Sequence, residues 1–294
     1  MTAPARTLHD ALSDARRRLR EAGFSEPDAA LDAEVLARHV LQWTRDRLIA
    51  DRREAVPDDF EDRYRSLLTR RIGREPVAYL TGHREFWNLD FTVTRDVLIP
   101  RPETELIVET VLQVAHAAPA ADAGIGHLAD VGTGSGCLAV ALAHELPRAR
   151  VIAIDRSAAA LDVARRNARR HAVEGRVEFV EGDLVSPLTD RPVDLIVSNP
   201  PYVPLADAAH LPPDVREYEP ALALFSGADG LDAIRALLDR APAVLRPHGW
   251  LIFEFGFGQA DAIATLATSG STWGAIALRP DLQQIPRVAM LQRR

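Results

Sequence analysis

Asn199-Pro200-Pro201-Tyr202 follows an apolar run, Val193, Leu195, Ile196 and Val197, of the kind found in a strand covered on both faces. The two prolines remove two backbone N–H donors and fix φ, so the carbonyls of this segment are held in place and free to accept. The residue before each proline is pushed toward extended geometry. The result is a stiff rim at a strand end, carrying an amide side chain, carbonyl oxygens and an aromatic ring. Such a rim suits a planar –NH2 group. Carbonyl oxygens accept its hydrogens and the ring packs on its face.

A second group of residues lies upstream. Asp130-Val-Gly-Thr-Gly-Ser-Gly-Cys137 joins a predicted strand to a predicted helix, and glycines at 132, 134 and 136 let backbone pass close to a ligand. Asp155 ends the next strand, 19 residues after Gly136, where an acid can accept from both hydroxyls of a ribose. Asp183 ends the third strand and can take an adenine amine from its side. The glycine spacing lacks the third position of the dinucleotide fingerprint, and no Gly-Lys-Ser/Thr for a triphosphate occurs. Asp130, just before the loop, repels a pyrophosphate but welcomes an ammonium. S-adenosylmethionine carries an α-amino group and a sulfonium, so the acids fit it better than a dinucleotide. The plain alternative is a tight strand–helix turn with solvent-facing acids. Against it, all these groups fall at carboxyl ends of neighbouring strands, where open α/β sheets bind ligands.

The elements that must position them divide the chain. Residues 7 to about 82 read as four or five helices. Leu8, Leu12, Ala15 and Leu19 recur at helical spacing, Ser25-Glu-Pro-Asp28 is a start signal, Thr44 caps a shorter helix, and Pro57-Asp-Asp opens another. Glu85–Val93 reads as a β-hairpin turning near Asn88 to Asp90. Pro100-Arg-Pro-Glu-Thr-Glu105 opens a helix, and 117–126 is a small-residue linker. Strands are then expected at His127–Val131, Val151–Asp155, Val177–Val180, Val193–Ser198 and Trp250–Phe255. Helices lie between them, and Ala275–Leu278 with Val288–Gln292 form a closing antiparallel pair. Alternation of this kind predicts an α/β fold with a mostly parallel sheet.

The 294 residues allow one large domain or two ordinary ones. A net charge of -7 disfavours a general nucleic-acid surface. The first 84 residues carry 16 Arg against 15 acids and the remainder 19 against 27, so the acidity belongs to the sheet. All 35 basic residues are arginine, read as codon bias. A single cysteine excludes an internal disulfide and fits a reducing compartment. The N-terminus lacks a signal-peptide core and no stretch is apolar enough to span a membrane, so no membrane partner is expected and the cytoplasm is the default location.

These residues resemble the class I S-adenosylmethionine-dependent methyltransferases and, within them, the release factor glutamine methyltransferases, the HemK/PrmC-like family. The likeness runs from 76 to about 255. It includes Pro76–Trp87, Leu98–Glu105, the glycine loop, Val197–Val203, and Glu219–Gly227 followed by Asp229-Gly-Leu231. Asn-Pro-Pro-Tyr alone is less specific, being shared with amino-methylating DNA enzymes. The resemblance implies a Rossmann-like methyltransferase domain over 100–294, seven-stranded and mostly parallel. A helical substrate-recognition domain at 1–82 and a hairpin linker at 83–99 precede it. It also implies S-adenosyl-L-methionine as cofactor and class I peptide chain release factors as protein substrate, acted on by a monomer. The cofactor or substrate is contacted by Gly132, Thr133, Gly134, Ser135, Gly136, Asp155, Leu184 and Asn199. Leu184 stands where the family often has an aromatic, and Asp281-Leu-Gln-Gln-Ile-Pro-Arg-Val288 lacks the glycine usual before Arg-Val, a changed turn without effect on chemistry.

The expected reaction is an in-line displacement at the sulfonium methyl. Asn199 Oδ1 and the Pro200 carbonyl accept the two N–H bonds of the substrate amide, more strongly as charge grows on its nitrogen. Tyr202 packs over the amide plane, and Pro201 completes the rim. Arg101 and Glu103, fixed beside the sheet by two prolines, lean toward an active-site role rather than a helix cap. Cys137 reads as a small core residue, Glu254 as a sheet-end acid, and Phe86 and Trp87 as hairpin packing. Arg16-Arg-Arg18 reads as a solvated face. His83, His127 and His248 lack metal-ligand spacing. The rival readings are the same chemistry on a ribosomal-protein glutamine, an adenine amino-methyltransferase, and a non-catalytic cofactor-binding partner of translation. The intact Asn-Pro-Pro-Tyr weighs against the last, and the net charge and lack of a long insertion weigh against the second.

Overall fold

The computed structural model describes residues 6–117 and 125–294, so most of the predicted small-residue linker lies outside the described residues. The chain divides into two units, Met1–Gly82 with Pro212–Tyr218, and His83–Leu211 with Glu219–Arg294.

The first unit holds α1 (Leu8–Glu21), α2 (Glu26–Leu41), α3 (Arg45–Ala50), α4 (Phe60–Ile72) and α5 (Val77–Thr81). Their starts follow from side-chain caps. Thr7 Oγ1 accepts from Asp10 N at 3.2 Å while the Asp10 carboxylate accepts from Thr7 N at 3.1 Å. Ser25 and Thr44 accept from the third residue of their helices. Such a cap contributes about 1 kcal/mol. Leu8, Leu12, Ala15 and Leu19 of α1 pack with Ala33, Leu36, Phe60, Tyr64 and Leu68 in one core. Arg71 Nε donates to Asp32 Oδ2 at 2.7 Å and stacks its guanidinium on the Phe24 ring. A further member was not expected from the sequence. The helical residues Pro213–Tyr218 belong to this unit, and Tyr218 Oη donates to the Gly73 carbonyl at 2.6 Å.

The second unit opens with the hairpin β1 (His83–Phe86) and β2 (Leu89–Thr92). Its turn is Trp87-Asn88, earlier than the sequence reading, and Asp90 pairs with Glu85 inside the ladder. Both turn residues take positive φ, 53° and 55°, as a two-residue turn of the right twist requires. Trp87 is tied there by its N–H donated to Glu105 Oε1 and its indole N–H donated to Glu145 Oε1, both at 2.8 Å. Phe86 and Phe91 are buried, so the hairpin aromatics are packing residues.

There follow α6 (Glu105–Ala117), β3 (His127–Val131), α7 (Cys137–Glu145), β4 (Arg150–Asp155), α8 (Ala158–Arg170), β5 (Val177–Glu181) and β6 (Val193–Ser198). After α9, the Pro213–Tyr218 helix, come α10 (Ala221–Leu224), α11 (Asp232–Val244), β7 (Leu245–Glu254), α12 (Ala260–Thr268), β8 (Trp273–Pro280) and β9 (Pro286–Arg293). The seven strands are ordered β5-β4-β3-β6-β7-β9-β8, parallel as far as β7, with β9 antiparallel to both its neighbours. Val193 and Ile196 of β6 point into a core shared with α11 and α12, whereas Leu195 and Val197 point into one shared with α6 and α7. The central strand is therefore apolar on both faces. β7 starts five residues ahead of the predicted Trp250, because Leu245 pairs with Val193 across a bulge. The turn that lacks a glycine before Arg287 is closed by Asp281, whose carboxylate accepts from Gln283 N and Ile285 N at 2.8 and 3.0 Å. Among the described residues, no helix is long and apolar enough to cross a membrane.

Candidate active site

The strand order reverses direction between β3 and β6, and a crevice at such a switch point is where open α/β sheets take ligands. The glycine loop ends β3 and the Asn-Pro-Pro-Tyr rim ends β6. Between them lies a cavity of about 490 Å³, within the range of small-molecule sites.

The loop is held from both sides. Gly132 N and Thr133 N donate to the Ile154 carbonyl at 2.9 Å each. Asp155 Oδ2 accepts from Gly134 N at 2.8 Å and its Oδ1 from Ser157 N at 2.9 Å. Gly136 has φ 80°, and a Cβ there would stand 2.9 Å from Ala164 Cβ, so only glycine lets α7 start against α8. Asn167, fully buried in α8, donates to the Ser135 carbonyl at 2.8 Å and to the Thr92 carbonyl at 2.9 Å, and accepts from Thr92 N at 2.8 Å. It was not singled out from the sequence. The available signal was a polar residue on the apolar stripe of Ala160, Val163, Ala164 and Ala168.

Asp130 departs from expectation. It was given a direct grip on an ammonium, but it lies fully buried beneath the loop and is no part of the cavity wall. Its Oδ2 accepts from Thr133 Oγ1 at 2.6 Å and from Ala139 N at 3.1 Å, so it shapes the loop. Oδ1 is buried without a partner. Burial pushes the carboxyl up to about 7, against those two donors. Gly132, Thr133, Gly134 and Ser135 do line the cavity, as does Cys137, which was expected to be plain core. Burial pushes that thiol up to about 12, so it is no nucleophile at neutral pH.

Asn199, Pro200 and Pro201 line the cavity from the opposite side. Asn199 Nδ2 donates to Thr104 Oγ1 at 2.9 Å, and Thr104 Oγ1 donates to Glu254 Oε2 at 2.6 Å. Thr104 and Glu254 are both 2% exposed. Tyr202 is corrected in the same way as Asp130. Its ring is not in the cavity wall; its hydroxyl donates to Glu254 Oε1 at 3.1 Å, behind the rim. The segment after it is pinned to Leu224–Gly227, with Val203 N donating to the Leu224 carbonyl and Ser226 N to the Val203 carbonyl. Gln259 Nε2 donates to the Tyr202 carbonyl at 3.0 Å.

Of the two residues singled out before α6, Arg101 lines the cavity and Glu103 is exposed and does not. Arg101 pairs with Glu219 Oε1 at 2.5 Å, and Glu219 Oε2 accepts from Ile99 N at 3.2 Å. At the other end Leu184, with φ 50°, and Asp183 line the wall. Asp183 also meets Arg156 at 3.6 Å and Arg240 at 3.5 Å, pairs exposed enough to be worth little. Thr104, Glu254, Glu219 and Asn167 thus bond to the groups that line the cavity or to its loop, contacts that the residue types alone do not reveal. An acid inside Leu251-Ile-Phe-Glu-Phe255 was a visible signal, since an apolar strand end rarely holds a carboxylate without a partner.

The cavity fits a nucleoside amino acid. Ser135 Oγ, 1% exposed and in the wall, has no oxygen or nitrogen partner, and Asp130 Oδ1 is unpartnered nearby in the chain. A Cβ on Gly132 or Gly134 would meet nothing within 4 Å, so bare backbone faces open space there. Comparison with known proteins decides the family. Residues 10–82 match the PrmC N-terminal domain and residues 105–210 the methyltransferase small domain. The chain is 44% identical to the release factor glutamine methyltransferase of Moorella thermoacetica over 98% of this chain and 99% of that one. The chain belongs to the release factor glutamine methyltransferase family. A member from Geobacter sulfurreducens is 51% identical over 68% of this chain and 67% of its own. A methyltransferase from Pyrococcus furiosus shares the fold, with a TM-score of 0.51, 17% identity and coverage of 76% of this chain and 96% of that one. The enzyme is a methyltransferase of the class I fold, and its methyl donor is S-adenosyl-L-methionine.

Proposed function

We propose that this chain methylates the side-chain amide nitrogen of the glutamine in the Gly-Gly-Gln motif of class I peptide chain release factors. The observation that carries the reading is the Asn199 amide. Its nitrogen is committed to Thr104, so its oxygen is turned away from that partner on a rim that lines the cavity. An amide nitrogen shares its lone pair with its carbonyl and is a weak nucleophile. Asn199 Oδ1 and the Pro200 carbonyl accept its two N–H bonds and orient what remains of the lone pair. Both bonds strengthen as the nitrogen gains positive charge, so the help is greater in the transition state than in the ground state. When bound, the donor would supply a methyl group from a sulfonium whose thioether leaves, and the methylated nitrogen then gives up one of its two protons.

The other residues hold and exclude. The backbone of Gly132 to Gly136, Asp155 and Leu184 hold the nucleoside and its chain, Asp183 takes the adenine edge, and Ser135 meets the amino-acid end while Asp130 holds the loop in shape from beneath. Arg101 and Pro201 shape the side where the substrate enters, and Tyr202 braces the rim from behind. The helical unit holds the release factor. The enzyme works as a monomer in the cytoplasm, without nucleic acid or membrane. The likeness to release factor glutamine methyltransferases supports the substrate assignment. The test is a methyl-transfer assay with labelled donor and, in turn, release factor, ribosomal proteins and DNA. Label on release factor is expected; label only on ribosomal protein or DNA replaces this reading with one of its rivals.

A further inference from the structure

We propose that Thr104 and Glu254 are positioning residues that fix which way the Asn199 amide faces and raise the acceptor strength of its oxygen. The inference rests on the reading of Asn199 as the acceptor for the substrate amide. A threonine hydroxyl has one proton to give. Thr104 Oγ1 stands 2.6 Å from Glu254 Oε2 and 2.9 Å from Asn199 Nδ2. An ionised carboxylate only accepts, so the proton goes to Glu254 and Thr104 must accept from Asn199. Rotating the amide by half a turn would set two acceptors against each other in a buried site. The chain of bonds thus runs one way, from Asn199 to Thr104 to Glu254, and leaves Oδ1 for the substrate. A hydrogen bond given at one end of an amide strengthens acceptance at the other, more so where water is excluded.

The same carboxylate accepts from Tyr202 Oη at 3.1 Å, so one buried acid sets both polar residues of the rim. The groups that face it are Thr104 from the turn before α6, Tyr202 from the rim, Glu103, Arg287 and, across the site, Cys137. Burial pushes Glu254 above the ordinary carboxyl range. A proton taken up on Oε2 puts a donor where Thr104 needs an acceptor, and the order of the chain is then lost. Activity should therefore fall, as pH decreases, at a higher pH than for an ordinary carboxyl.

The chain has three asparagines, Asn88, Asn167 and Asn199, so selective ¹⁵N-asparagine labelling gives a readable set of side-chain NH2 signals in the full-length protein. The Asn199 signal is expected to follow an acid titration in the wild type and in Thr104→Ser, and to lose it in Thr104→Val and Glu254→Gln. In parallel methyl transfer, Thr104→Val should lower kcat at least about tenfold with the KM for donor within about threefold, and Thr104→Ser should return to within about threefold of wild type. The acid limb of the kcat profile should move in Glu254→Gln. A wild-type Asn199 signal indifferent to pH, or a folded Thr104→Val enzyme with kcat within about twofold of wild type, overturns the proposal. If the wild type does not methylate release factor at all, the substrate reading fails while the titration arm still decides the relay.

Discussion

Asn199 and Thr104 lie 95 positions apart in the chain and meet at 2.9 Å, Nδ2 to Oγ1, at the wall of the cavity. This bond turns the strand-end amide from a flexible polar group into a directed acceptor. Asn199→Ala removes that acceptor without touching the glycine loop. It should leave donor affinity largely intact and cut turnover at least tenfold, about 1.4 kcal/mol of transition-state stabilisation. Donor titration and initial rates on release factor measure the two effects separately.

Asp130 provides a proton-linked test. Burial holds its folded pKa at about 7, above the ordinary 3.8. The folded chain keeps a proton that the unfolded chain loses. This contribution to stability is full below the ordinary value and is lost as pH rises through about 7. Urea unfolding measured between about pH 5 and pH 8 reads this loss, and Asp130→Asn should flatten it. A slope that Asp130→Asn leaves unchanged would mean that another group carries it.

The loop glycines differ in why they are glycine. Gly136→Ala forces a Cβ to within 2.9 Å of Ala164 Cβ at φ 80°, whereas Gly134→Ala meets open space at φ 53°. The first should cost roughly 2 kcal/mol or more in urea unfolding and the second roughly 1 kcal/mol, with its larger loss in donor affinity.

Arg101→Ala strips the guanidinium from Glu219, whose side chain is 1% exposed while that of Arg101 is 30% exposed. Because the arginine is partly solvated, the loss should be about 1–3 kcal/mol rather than the full value for a buried pair. Glu219→Gln keeps a hydrogen bond and should recover part of it. Urea midpoints of the two variants give the comparison.

Much of the fold was legible in local pattern. β3 and β6 match their predicted bounds because both are apolar runs closed by glycine or proline. The caps at Ser25 and Thr44 were visible as residue types. What was hidden depends on pairing between distant segments. The early start of β7 follows from its ladder with β6, and the hairpin turn at Trp87 from acids of α6 and α7. The transfer of Pro213–Tyr218 to the helical unit had no sequence signal. At the site, chain position put Asp130 and Tyr202 on the wall, but side-chain direction took both behind it. Asp130 turns to the Thr133 hydroxyl and the Ala139 N–H of α7, and Tyr202 to Glu254, which its place in the sequence marks only as a strand-end acid. Thr104 was passed over in favour of its charged neighbours Arg101 and Glu103, because a hydroxyl carries little signal until its partners are known.

The most direct test of the account is methyl transfer from labelled S-adenosyl-L-methionine to a class I release factor and to its Gly-Gly-Gln→Gly-Gly-Ala variant. Label is expected on the first, located on the glutamine side chain, and none on the second. Label that survives the glutamine substitution would contradict it.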